Sequence, residues 1–227
     1  MEITWHGHSF FELESDDGSV LLIDPFVEEN PRTHRTVDGF DPDVVAVTHG
    51  HFDHCAEAHE FDTTVVCQPE MAEYYGKMGH DDCVGINIGG TYEHGDFELT
   101  MVQAFHTAGA PADADFDFYG GVASGFVIDV DGTTFYHAGD TGLFGDMKTV
   151  IRDVYSPDVA AVPIGDHYTM GPVDAATAVD WLGVDTAVPM HYDTFPPISQ
   201  DPEEFANAVD TADVVVPDYG ETFIQGE

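Results

Sequence analysis

Four side chains able to hold a divalent cation fall within six residues: His49, His51, Asp53 and His54, in Thr48-His49-Gly50-His51-Phe52-Asp53-His54. Imidazole nitrogen and carboxylate oxygen are donors that suit Zn²⁺ and similar ions. A lone His-x-His is weak evidence, because surface histidines pair by accident. Four candidate ligands, with Gly50 allowing a tight backbone path, are much stronger. An ion held here could activate water and polarise a carbonyl or phosphoryl oxygen.

The elements around the cluster fit that use. Asp41-Pro42-Asp43 introduces Val44-Val45-Ala46-Val47, an apolar run of the kind buried on both faces of a sheet. The cluster follows at its C-terminal end, and strand ends are where α/β folds present ligands. Short β-type runs at residues 3–5, 10–14 and 20–23 come earlier, with a hairpin turn at Asp16-Asp17-Gly18. Helices are predicted at residues 53–60, 69–78, 172–182 and 202–209. Further strands are predicted at 97–104, 121–130, 133–137 and 186–190, with 214–216 as the last.

Residues 41–51 echo residues 156–166 without gaps, sharing Pro-Asp-Val, Ala-Val and Gly. Each copy follows an apolar strand that ends near an aspartate, Asp24 or Asp140. Duplication predicts two strand-rich halves in a pseudo-twofold α/β sandwich. No linker divides the 227 residues, so a single domain, 1–227, is expected.

Composition narrows the setting. Asp plus Glu total 44 against 5 Lys plus Arg, a formal net charge of −39. Such a surface repels itself in dilute buffer. At ~1 M salt the screening length falls to roughly 3 Å, and that repulsion fades. The acidic residues are spread along the chain, as at Asp81-Asp82 and Glu203-Glu204, which reads as adaptation to a halophilic cytoplasm. A nucleic-acid partner is disfavoured, because phosphate contacts call for a Lys/Arg stripe. No run is long enough to cross a bilayer, and the N-terminus lacks a basic start and apolar stretch, so a soluble cytoplasmic protein is expected. Cys55, Cys67 and Cys83 are odd in number, without CxxC spacing, and read as small buried residues of a reducing compartment.

The pattern His-x-His-x-Asp-His after an apolar strand resembles the signature of the metallo-β-lactamase superfamily. The chain is identified as a member along its length. The matching stretches include Gly7-His8-Ser9, Leu22-Ile23-Asp24-Pro25-Phe26, Gly139-Asp140-Thr141-Gly142-Leu143-Phe144, Pro163-Ile164-Gly165-Asp166, Tyr168-Thr169-Met170-Gly171-Pro172 and His191-Tyr192-Asp193-Thr194-Phe195-Pro196. The closer resemblance is to small bacterial and archaeal metal-dependent hydrolases, similar to but smaller than the L-ascorbate 6-phosphate lactonases. It implies a four-layer αββα sandwich of two pseudo-symmetric halves.

It also implies two divalent ions, zinc first and manganese or iron as alternatives. One would be held by His49, His51 and His106. The other would be held by Asp53, His54 and His191, with Asp140 bridging. A hydroxide shared by the ions would be the nucleophile, with Asp53 the catalytic carboxylate that orients it and handles its proton. The expected reaction is hydrolysis of an ester, lactone, thioester or phosphoester bond of a small molecule. The scarcity of Lys and Arg leans against a highly anionic substrate. Alternatives on the same fold are a mononuclear-iron sulfur dioxygenase or other redox enzyme, an RNA-processing nuclease, and a non-catalytic metal-stabilised binding protein. An assembly of like chains is left open.

Three more residues are candidates for the pocket or for supporting the ligands: His8, Asp24 and Asp166. Asp24 in particular could fix a ligand histidine's tautomer. His137 reads as packing, and His34, His59, His80 and His94 as solvated surface. Phe116, Phe118 and Tyr119 could cover an apolar substrate or simply anchor their loop.

Overall fold

The computed structural model describes residues 1–111 and 118–224. Phe116 and the whole acidic run at 113–117 lie outside the described residues. Fourteen strands among them form two seven-stranded sheets. The first half supplies β1 (Glu2–Trp5), β2 (Phe11–Glu14), β3 (Val20–Ile23), β4 (Val44–Ala46), β5 (Thr64–Cys67) and β6 (Cys83–Gly85). The second half supplies β7 (Thr91–His94), β8 (Phe97–Gln103), β9 (Ser124–Val130), β10 (Thr133–His137), β11 (Val159–Pro163), β12 (Thr186–Met190) and β13 (Asp213–Val214). The last strand, β14 (Glu221–Ile224), returns to pair with β1.

The sheet orders are β14-β1-β2-β3-β4-β5-β6 and β7-β8-β9-β10-β11-β12-β13, each written from its antiparallel edge. In both, the first three pairings are antiparallel and the last three parallel. This identity of pattern is the two-halved sandwich that the internal echo predicts. The echoed segments are β4 and β11, the fifth strand of each sheet in these orders. Their register refines the comparison: Asp24 N–H donates to Ala46 O at 2.9 Å, and Ala138 N–H donates to Ala161 O at 3.0 Å. Ala138, and not Asp140, therefore occupies the place of Asp24.

Alternation along the strands explains the layers. Leu21 and Ile23 of β3 join Leu99, Met101, Phe126 and Ile128 of the facing sheet in one buried cluster. Leu22, Val45 and Val65 turn the other way, onto Met71 and Tyr75 of α2 (Pro69–Met78). Burial on both faces is why these strands read as unbroken apolar runs. The second sheet is covered by α3 (Pro172–Leu182) and α4 (Pro202–Ala208), which contribute Ala175, Val179 and Phe205 to the core.

Helix limits follow local chemistry. α2 and α3 each open on a proline, where no N–H is needed, and close on a left-handed glycine, Gly79 (φ 95°) and Gly183 (φ 66°). Asp201 caps α4 by accepting from Glu203 N–H at 3.0 Å.

Three expectations need correction, and one helix went unpredicted. The helix predicted at 53–60 is one turn, α1 (Phe52–Cys55), followed by a separate 3₁₀ turn, Ala58–Glu60. Buried Glu57 breaks it by leaving helical geometry (φ −99°, ψ 0°) and accepting from Val27 N–H at 3.0 Å. The strand predicted from 121 starts at Ser124, after Gly121 takes φ 82°. The strand predicted at 214–216 has only Asp213 and Val214, and β14 comes after it. The π-type helix Met147–Tyr155 was not foreseen.

Candidate metal centre

Six strands end at one side of the sandwich, and each delivers a site residue just beyond its C-terminal end. β1 is followed by His8, β3 by Asp24 and β4 by the cluster from His49 to His54. β8 is followed by His106, β10 by Asp140 and β12 by His191. Three of these residues hold left-handed backbone, His8 (φ 56°), Asp24 (φ 49°) and His191 (φ 54°). Non-glycine residues pay for that geometry, and such outliers gather where side-chain aim matters. Gly109 (φ 69°) is a different case. A Cβ there would lie 2.1 Å from His51 Cδ2, so only glycine lets the loop after β8 close over the His51 ring.

Two groups of side chains have ligand atoms close enough together to hold an ion. One is His49, His51, His106 and Asp140; the other is His8, Asp53, His54 and His191. Asp140 joins them. Its Oδ2 lies 3.0 Å from His191 Nε2, 3.4 Å from His54 Nε2, 3.6 Å from His106 Nε2 and 4.0 Å from His49 Nε2. The structure thus gathers all seven residues that the sequence assigned to metal binding, and adds His8 to the second group.

Hydrogen bonds orient the rings. Asp24 is fully buried and accepts three bonds: from Thr48 N–H (2.7 Å), the Thr48 hydroxyl (2.6 Å) and His54 Nδ1–H (2.7 Å). His54 must therefore carry its proton on Nδ1, which leaves the Nε2 lone pair facing the site. The Thr48 hydroxyl, having given its proton to Asp24, accepts from His49 Nδ1 at 3.0 Å. That fixes the His49 tautomer in the same sense.

His8 behaves differently. Its Nε2 lies 3.0 Å from Asp53 Oδ2, and its Nδ1 lies 2.9 Å from the Thr194 hydroxyl. A carboxylate can only accept, so Nε2–H donates to Asp53 and Thr194 donates to Nδ1. In this network His8 has no lone pair to offer an ion; it braces Asp53.

The electrostatics match a cation site. Burial, with the surrounding imidazoles, holds His49 well below the ordinary histidine value and lowers His51 and His106. Burial likewise pushes His8 down to about 4, with His191 adding to the effect. For His54 burial is outweighed by the carboxylates of Asp140, Asp24 and Asp53, which raise it well above that value. Burial also opposes ionisation of Asp140, but His191 and His54 keep its carboxyl well below the usual range. Asp53 is held down in the same way by His54 and His8. Three carboxylates converging on one imidazole create a strong demand for positive charge.

His54 Nε2 and Asp140 Oδ1 are buried with no hydrogen-bond partner among the described residues. Polar atoms in that position are costly unless something fills the role of partner. With the fixed tautomers and the nitrogen and carboxylate donor set, they fit divalent ions.

A cavity of about 480 Å³ opens over the cluster, with His51, Asp53, His106, Asp140 and His191 in its floor. Phe52, Thr107, Tyr168, Phe195 and Pro197 complete its lining. Sequence reasoning passed over these wall residues, although Phe52 lies inside the histidine motif and Tyr168 and Phe195 lie inside matched stretches. Asp166 is not brought to the cavity. It is exposed in a left-handed turn (φ 67°) whose N–H donates to Met170 O.

The remaining histidines and cysteines divide simply. His137 is buried, donating from Nε2 to Ser9 O (2.9 Å) and accepting from Gly139 N–H (3.2 Å), a packing role. His34 is exposed, but His59, His80 and His94 are half-buried, and His59 stacks on Tyr75. Their solvated reading needs that correction. Phe118 packs on Tyr74, whereas Tyr119 is exposed. The three cysteines are free, and burial raises the Cys55 thiol far from thiolate formation.

Comparisons with known proteins agree with this geometry. A family model described as "Beta-lactamase superfamily domain" matches residues 2–191. A UPF0173 metal-dependent hydrolase of Methanobrevibacter smithii is 44% identical over 98% of this chain and 96% of its own. One from Haloquadratum walsbyi is 48% identical over 99% of this chain and 100% of its own. Among solved structures, Igni18, a metallo hydrolase of Ignicoccus hospitalis, superposes with a TM-score of 0.86. It is 36% identical, covering 98% of this chain and 97% of that one.

Proposed function

The chain belongs to the β-lactamase superfamily as one of its metal-dependent hydrolases, and from that premise we propose a dinuclear enzyme that cleaves an ester, lactone, thioester or phosphoester bond. The observation that carries this reading is the position of Asp140, whose one oxygen faces histidines of both ligand groups. In our reading His49, His51 and His106 hold one ion, Asp53, His54 and His191 the other, and Asp140 bridges. Zinc is our first expectation for both positions.

When bound, divalent ions supply a nucleophile from water at neutral pH and polarise the oxygen of the electrophile. The chain's own residues do the rest. Asp53 lines the cavity floor and stays ionised, so it can accept a proton from an incoming water and pass it to the leaving group. His8 holds Asp53 Oδ2 at 3.0 Å and so fixes which oxygen lone pairs face the cavity. Asp24 and Thr48 set the rings of His54 and His49, so the donors are aimed before any ion arrives.

We also propose that the whole chain works as one domain, in high salt and as a soluble protein. The return of β14 to β1 supports the first point, and the charge of −39 with relatives from halophilic archaea supports the second. Among the described residues no helix is long and apolar enough to cross a membrane. The test is a screen of carboxylic esters, lactones, thioesters and phosphodiesters in molar KCl, with Zn²⁺ and Mn²⁺ supplied separately. Metal-dependent turnover of one class is the expected result, and oxygen uptake without hydrolysis would overturn the reading.

A further inference from the structure

The cavity above the ligand cluster has two unlike sides. Its floor carries Asp53 and Asp140 among imidazoles, and its wall carries Phe52, Tyr168, Phe195 and Pro197. Phe52 is 40% exposed and Tyr168 55%, so two large rings stand in solvent at the rim. The wall is also braced. Phe52 meets fully buried Phe26 edge-on at 5.8 Å, and Phe195 lies 6.1 Å from Phe52 and 6.3 Å from Phe26. Rings fixed in this way form a preorganised apolar surface, the kind that takes an apolar or aromatic group.

The cations are all elsewhere. The chain has five, and every one lies among the described residues. Arg32 bonds to Asp193 O and stacks over Tyr219. Arg35 is paired with Glu12, and Lys77 with Glu73. Lys148 and Arg152 ride on the helix Met147–Tyr155. None lines the cavity. The two floor carboxylates would be matched by the ions held there, so the decisive lack is on the wall: an anionic group lying against it meets the field of a chain at −39 with no side-chain cation to receive it. Salt screens the long-range field but supplies no contact.

We propose that the substrate is an electrically neutral carboxylic ester, lactone or thioester bearing an aryl or bulky apolar group, which Phe52, Tyr168 and Phe195 receive. The proposal rests on the hydrolase reading above. In the reaction, water oxygen bonds to the acyl carbon and the bond from that carbon to the leaving oxygen or sulfur breaks. The water's proton passes to the leaving group, giving a carboxylic acid and an alcohol or thiol.

The test uses the full chain loaded with Zn²⁺ or Mn²⁺ in molar KCl. kcat/KM is compared for 4-nitrophenyl butyrate, the mono-4-nitrophenyl ester of succinate, and 4-nitrophenyl phosphate. Calorimetry in parallel measures binding of butyranilide, an uncleaved neutral amide analogue, to the wild type, Phe52→Ala and Tyr168→Ala. Both rings are partly exposed, so these variants should fold, which a denaturation curve verifies. The expected result is a preference for the neutral ester over either anion of about 100-fold, with butyranilide binding weakened about tenfold in each variant. Faster turnover of an anionic substrate, or unchanged binding in both variants, overturns the substrate class while leaving the hydrolase reading intact. Absence of turnover of these three and of the lactones, thioesters and phosphodiesters of the wider screen overturns the hydrolase reading instead. In that event, butyranilide binding no tighter than 4-nitrophenyl phosphate overturns the substrate class as well.

Discussion

Asp24→Asn isolates the ring-orienting network with little change in shape. Asn is among the residues that tolerate the left-handed backbone held at position 24 (φ 49°), so the chain path should survive. Asp24 accepts three hydrogen bonds, and an amide has one oxygen and two N–H donors. If the amide oxygen keeps Thr48 N–H, its NH₂ group faces His54 Nδ1 and the Thr48 hydroxyl. His54 then has to accept at Nδ1, which moves its own proton to Nε2, the atom aimed at the site. The Thr48 hydroxyl, freed from Asp24, can donate to His49 Nδ1 and reverse that ring as well. One substitution thus disturbs a ligand in each group.

Changing a partner that orients a metal ligand costs 10–100-fold in metal affinity, about 1.4–2.7 kcal/mol per ion. A buried mismatch adds about 1–3 kcal/mol of destabilisation. Competition with a chromophoric chelator measures the affinity, and urea unfolding of the metal-free protein measures the stability. Thr48→Val is the companion variant, expected to weaken only the ion held by His49. Affinities for both ions within twofold of wild type in Asp24→Asn would refute the network.

Three further outcomes are expected. His8→Gln should keep two ions per chain, since His8 braces Asp53, but lower kcat by about tenfold or more; loss of one ion on metal analysis would make His8 a ligand instead. His8 and His137 are buried with lowered pKa values, His8 at about 4. The unfolded chain takes up those protons near pH 6.5 and the folded chain does not, so their contribution is complete above that pH and lost as pH falls towards 4. For His8 alone the loss is roughly 3 kcal/mol. In metal-free protein His54, whose pKa is raised, opposes this by favouring the folded state at lower pH. Urea midpoints measured from pH 7 down to pH 4.5 should fall on balance, and a rising midpoint would count against the buried neutral imidazoles. With a charge of −39, the melting temperature should climb steadily from 0.1 to 3 M KCl, and a flat scan would remove the halophilic reading.

Much of the site could be read because its residues carry chemistry at short spacing. His49, His51, Asp53 and His54 announce an ion on their own, and family resemblance supplied His106, Asp140 and His191 from distant strand ends. The echo of β4 in β11 foretold the paired sheets. What stayed hidden depends on three-dimensional context. Asp24 was legible as a support for a ligand histidine and His8 as a pocket or supporting residue, but that Asp24 sets His54 and Thr48, and that His8 holds Asp53, shows only in the fold. Phe52, Tyr168 and Phe195 look like ordinary core aromatics in a string of letters; only the fold leaves them at a cavity rim. Edge strands such as β7, Thr-Tyr-Glu-His, are short and polar and give almost no periodic signal. The break in the predicted 53–60 helix comes from Glu57 reaching Val27, thirty residues away in sequence.

A two-ion centre that hydrolyses makes a definite prediction for the titration of metal-stripped protein in molar KCl. Zn²⁺ or Mn²⁺ is added anaerobically in steps, with bound metal and hydrolysis followed together. Two equivalents bound per chain, with turnover reaching its plateau only at the second, is the expected result. Saturation at a single equivalent, or full activity from one iron per chain with consumption of oxygen, would contradict it.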